Sequence, residues 1–115
     1  MPEYMEELRD VVKKALEASQ THFDEYQRAF FPERSPEFFC LELNGEAGEL
    51  ANKEKKLWKG KKIADEELAD EAADVFIALM NYSNSRRIDL GSAVAKKLEI
   101  IDKKRTELNA RGEDY

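Results

Sequence analysis

Two short acidic runs are the residues of this sequence best placed to do chemistry. The first is LNGEAGEL, Leu43 to Leu50, where Glu46 and Glu49 stand one helical turn apart beside Gly45 and Gly48. The second comprises Glu67, Asp70, Glu71 and Asp74, four potential negative charges within two turns. Residues three and four apart are neighbours on a helix, and like charges so placed repel by a few tenths of a kcal/mol. Glu42, Glu46, Glu49 and Lys53 make one such ladder; Glu67, Asp70, Glu71 and Asp74 make the other, continued by Ala78 and Asn81. The compensating lysines are not interleaved but gather in KEKKLWKGKK, between the two acidic blocks. Carboxylates grouped in this way must spread into water or meet cations. A hard divalent ion such as Mg²⁺ takes oxygen ligands in octahedral geometry and combines carboxylates with waters and phosphates. Glu46 and Glu49 on one helix facing Glu71 and Asp74 on the next would supply four such ligands. A glycine inside a helix costs roughly 0.5–1 kcal/mol relative to alanine. Gly45 and Gly48, with Ala47 between them, are expected to give space for a neighbouring helix or a hydrated metal.

The elements that must hold these residues are helices. Apolar residues recur with helical spacing from about Tyr4 to Ala29, and FFPERSPEFF then interrupts the pattern. Ser35 suits the cap of a second helix, with Pro36 at its first position and Glu37 at its positive end. That helix should run to about Trp58, with Phe39, Leu43, Ala47, Leu50 and Leu57 as its apolar stripe. Asp65 reads as the cap of a third helix, reaching about Ser85, with Leu68, Ala72, Val75, Phe76 and Leu79 apolar. Asp89 reads as the cap of a fourth, reaching about Ala110. No run alternates with the period of a strand, so the fold expected is all-α, a four-helix bundle.

Composition excludes several function classes. A chain of 115 residues fits one domain, here 1–115. Hydrophobic residues at 42% and charged residues at 38% suit a folded, helix-rich protein. A formal charge of -6 argues against coating a polymeric nucleic acid, which needs a basic face. The single cysteine, Cys40, makes no internal disulfide and fits a reducing compartment. The start, MPEYMEELRD, reads as no signal peptide, and no segment reaches the ~20 apolar residues of a membrane span. A cytoplasmic protein without a membrane partner is expected. A di-iron site needs histidines in a Glu-x-x-His arrangement, and the only histidine, His22, lacks that glutamate. No glycine-rich phosphate loop of the Walker type is present.

GEAGELA followed by DEAADVFIAL resembles the all-α nucleoside triphosphate pyrophosphohydrolases of the MazG type, which include dCTP pyrophosphatase and dimeric dUTPase. The family signature is Glu-x-x-Glu, a linker, then Glu-x-x-Asp, which falls here on Glu46, Glu49, Glu71 and Asp74. The likeness continues through RRIDLGSAVAKKLEIIDKKR and covers about Pro36 to Arg105, departing from the family where an asparagine gives way to Ile101 and Asp102. The resemblance implies hydrolysis of the α–β phosphoanhydride of a (d)NTP to a monophosphate and pyrophosphate. It also implies Mg²⁺, or Mn²⁺ in its place, held by Glu46, Glu49, Glu71 and Asp74. Glu46 or Glu49 would act on the water. Lys97 and Arg105 match a family lysine and arginine that contact phosphate. Lys53, Asn81 and Trp58 are further candidates for contact with substrate, Trp58 by stacking on a base. A small four-helix chain completes its core by association, so a homodimer or homotetramer is expected. Two alternatives are a phosphoribosyl-ATP pyrophosphatase and a non-enzymatic helical oligomeric interaction module.

Overall fold

A computed structural model describes residues 2–115. Among the described residues the chain forms four helices and no strand: α1 Glu3–Phe30, α2 Pro36–Trp58, α3 Asp65–Ser85 and α4 Leu90–Ala110. None is long and apolar enough to cross a membrane. The boundaries follow from local chemistry. Ser35 caps α2, its Oγ accepting from the Phe38 N–H at 3.3 Å, and Pro36 takes the first turn, where a missing N–H costs nothing. Asp89 caps α4, with Oδ1 accepting from the Ser92 N–H and Oδ2 from the Ser92 hydroxyl. The third start differs from the expected cap at Asp65. The helix already includes Asp65, and Ala64 occupies the cap position. Alanine has no side-chain acceptor; instead Glu67 reaches back and accepts from the Ala64 N–H at 3.0 Å.

The chain divides into two compact units. One comprises α1 up to Thr21 together with Ile88–Tyr115. Here Gln20 clasps the start of α4: its amide nitrogen donates to the Ile88 carbonyl at 2.7 Å, and its amide oxygen accepts from the Leu90 N–H at 2.9 Å. Arg9 Nε donates to the Ala95 carbonyl at 2.8 Å, and its Nη2 meets Glu99 at 3.1 Å. Gly91 is buried against the backbone of Lys13, and a Cβ there would lie 2.6 Å from the Lys13 carbonyl oxygen. Only glycine permits that approach.

The other unit is His22–Arg87, containing the last turns of α1 with α2 and α3. Arg86 pairs with Glu37 and Lys53 with Glu71. As α2 advances, its partners on α3 recede, so the two helices form an antiparallel hairpin. Phe39, Ala78, Met80 and Ser83 are buried in this unit, Met80 completely. Phe23 meets Phe76 edge-on with ring centres 6.0 Å apart.

The inner face of α2 departs from the expected stripe. Its less exposed positions are Phe39, Leu43, Glu46, Leu50 and Lys53, alternating by four and three. That is the spacing of a helix seam, and it draws Glu46 and Lys53 inward among the apolar residues. Ala47 and Leu57, expected inside, are exposed, as are Ala72 and Phe76 on α3. The inward band of α3 instead takes in Leu68, Glu71, Val75, Ala78 and Leu79.

Candidate metal centre

The seam of the α2–α3 hairpin contains the candidate site. Glu46 and Glu49 project from successive turns of α2, and Glu71 from α3. Each offers a carboxylate oxygen, and the three atoms lie within 4.8 Å of one another. Their environments differ: Glu71 is buried at 6% exposure, Glu46 is half-buried and Glu49 is exposed. Lys53, one turn beyond Glu49, donates from Nζ to Glu71 Oε1 at 2.7 Å. Glu46 Oε2 and Glu71 Oε2 are buried without a hydrogen-bond partner. Buried polar atoms nearly always find partners, so two orphaned carboxylate oxygens in one cluster need a physical account.

The electrostatics follow from this arrangement. Burial pushes the Glu46 carboxyl above its usual value of 4.5, and the charges of Glu49, Asp74 and Glu71 push it the same way. The Lys53 hydrogen bond draws Glu71 below its usual value, against the opposing effect of burial. The same bond raises Lys53 above 10.5. Two glutamates of one cluster are thus driven apart, one toward the acid form and one toward the carboxylate. A set of hard oxygen donors with two unmatched lone-pair faces is chemically suited to a hard divalent cation.

The remaining sequence candidates occupy different places. Asp74 is half-buried and raises Glu46 through its charge, but its oxygens stand outside the group of three. Asn81 is half-buried two turns along α3 from Asp74. Trp58 is 87% exposed at the end of α2. Lys97 is exposed on α4, and Arg105 pairs there with Asp102 at 3.0 Å; both belong to the other unit. Gly45 and Gly48 meet no neighbour: a Cβ at either would find nothing within 4 Å. Among the described residues of this unit, no helix makes the close approach expected there.

Sequence reasoning missed a cleft of about 690 Å³ in the same unit, walled by residues that include Gln27, Phe31, Phe39, Asn81, Asn84 and Arg87. Its volume lies within the range of small-molecule sites. Arg87 holds φ +57°, the left-handed region that non-glycine residues rarely adopt. Pro32 in the α1–α2 connection and Pro36 at the start of α2 signalled a break in helix, and nothing in their spacing signalled a concavity.

No family model, curated protein or solved structure matches this chain.

Proposed function

We propose that the chain is a Mg²⁺-dependent nucleoside triphosphate pyrophosphohydrolase, converting a (d)NTP and water to a monophosphate and pyrophosphate. The observation that carries this reading is the pair of orphaned, buried oxygens on Glu46 and Glu71, converging with Glu49 from two helices. The sequence resemblance to the MazG type supports it, since Glu46, Glu49 and Glu71 are three of the four acidic positions of that signature.

Glu46, Glu49 and Glu71 would hold the ion, with Asp74 adding negative potential beside them. What the ion supplies when bound is charge neutralisation on phosphate oxygens and polarisation of the attacking water. The rest falls to the chain's own residues. Glu71, drawn toward its ionised form by Lys53 before the ion binds, serves as an anionic anchor. Glu49, the exposed member, faces the solvent from which water comes and is the carboxylate placed to accept its proton. The proton goes to Glu49, the water oxygen bonds to phosphorus, and the α–β bridging oxygen departs with its partner phosphate group. Phosphoryl transfer requires mainly positioning and charge stabilisation, which two rigid helices supply. The open cleft beginning at Asn81, two turns from Asp74, gives the nucleoside a place to lie. From the anchor Glu71 to Asn81 is ten residues along α3, about 15 Å at 1.5 Å per residue, the scale of an extended nucleoside triphosphate rather than of its phosphates alone. The association expected from the sequence belongs to this reading too, as a homodimer or homotetramer.

The test is pyrophosphate release from a panel of canonical and modified NTPs and dNTPs with Mg²⁺, with Glu49→Gln in parallel. Release from one substrate class, falling by roughly 10²-fold or more in the variant as for loss of a general base, is expected. No release from any nucleotide would reject the reading; phosphoribosyl-ATP would then be the next substrate to assay.

A further inference from the structure

The cation the site already contains has a role of its own. Lys53 is drawn onto the inner face of α2, where its ammonium is the partner of Glu71 Oε1 at 2.7 Å, with the Lys53 side chain 29% exposed. A buried carboxylate cannot be left without a counter-charge at small cost, and this ammonium is that counter-charge. It does not complete the site, because Glu71 Oε2 and Glu46 Oε2 keep no partner. When all three glutamates are ionised, the ammonium leaves two uncompensated negative charges, which is the charge of one divalent cation.

Resting on the metal reading above, we propose that Lys53 is an internal stand-in cation: it holds Glu71 in the metal-free protein, and leaves it for a phosphate oxygen of the nucleotide when a divalent ion takes the carboxylate. Three features support the hand-over. An ammonium and a divalent ion sharing one carboxylate would repel each other at close range, in surroundings where charge is weakly screened. Lysine is the cation able to move, being a point charge on a flexible four-carbon stem, whereas arginine's rigid fork would stay. The side chain is only partly covered, so a path to solvent and to an arriving triphosphate is open. A triphosphate brings several negative charges of its own, and the released ammonium offsets one of them. Metal and nucleotide binding thereby become coupled through one side chain, each favouring the other.

The experiment uses the whole chain with Mn²⁺ alone, then with Mg²⁺ and a non-hydrolysable nucleoside triphosphate analogue. In Lys53→Met, Mn²⁺ alone should bind roughly tenfold tighter, because its competitor for Glu71 is gone, and the Mg²⁺–analogue complex roughly tenfold weaker, the scale of one charge-assisted hydrogen bond. Lys53→Met leaves Glu71 without its partner, and circular dichroism checks that it folds. A second measurement needs no variant. In the wild-type protein the Lys53 ammonium resonance, protected by its bond to Glu71, should shift and broaden as Mg²⁺ is added without nucleotide. If Mn²⁺ affinity is unchanged or weakened in Lys53→Met, Lys53 is a fixed orienting partner of Glu71 and the hand-over is overturned while the metal reading stands. A Lys53 resonance that persists unchanged at saturating Mg²⁺ overturns the hand-over in the same way. If the wild-type protein binds neither Mn²⁺ nor Mg²⁺, the metal reading and the hand-over fall together.

Discussion

At the scale of single residues, Glu71 decides how the seam behaves. It is the most buried carboxylate of the cluster, tied at one oxygen to Lys53 and untied at the other. Replacing it with glutamine keeps the shape and removes the charge. If Mg²⁺ binds as proposed, it should raise the melting temperature of the wild type and not of this variant, because a ligand stabilises only in proportion to its occupancy of the folded state. Thermal melts with and without Mg²⁺ check this; a rise that survives in Glu71→Gln would move the ion elsewhere. Adding Asp74→Gln should change nothing further in that assay, since Asp74 stands outside the converging oxygens. Glu46, Glu49 and Glu71 were legible in the sequence through their spacing and through the resemblance that spacing carries. The bond from Lys53 to Glu71 was not, because it joins residues eighteen apart in the chain. Only the register of the antiparallel hairpin brings them together.

At the scale of elements, caps and close approaches fix where each helix starts and what it can pack against. The serine before Pro36 and the aspartate before Leu90 each announced a helix start, since a side-chain acceptor beside free N–H groups is a local device. Ala64 gave no such signal, and its cap rests on Glu67 three residues ahead. Which residues face inward was less legible. The inner positions of α2 follow a seam spacing that admits Glu46 and Lys53, and polarity alone assigns both to the outside. Two predictions belong here. Hydrogen bonds from the Ser92 backbone and hydroxyl hold the Asp89 carboxyl below its usual 3.8. The unfolded chain therefore takes up that proton first as pH falls. The cap's stabilisation is present above about pH 4 and is lost as pH falls through the lowered value. In Asp89→Asn the melting temperature should decline less steeply in that acid range than in the wild type, as acid titration of the melts will show. Gly91→Ala should be the more damaging change, because its Cβ would meet backbone at 2.6 Å rather than a movable side chain. Overpacking of this kind costs about 1–3 kcal/mol, and a denaturant titration should show the loss with little change in slope.

At the scale of the whole molecule, what matters is how few side chains are fully buried among the described residues. In the unit holding the candidate site, only Phe39, Glu71, Ala78, Met80 and Ser83 are buried, and one of those is a carboxylate. Among the described residues of the other unit, the buried ones are Gly91 and Ala95. Large apolar side chains stay in the open, among them Leu41 at 74% and Trp58 on α2, and Tyr4 and Val11 on α1. Single exposed apolar residues are ordinary, but many of them on a small chain leave apolar area that burial elsewhere would turn into stability. The proposed association would cover part of this surface, and a second copy is the natural partner, since every copy carries the same exposed residues. If so, folding and association form one equilibrium, and stability is expected to depend on concentration. The melting temperature should climb with protein concentration across the micromolar range, while light scattering gives a mass of two or four chains. A single-chain mass throughout, with a melting temperature indifferent to concentration, would show that the two units suffice as they stand. The open space beside Gly45 and Gly48 would then belong to solvent.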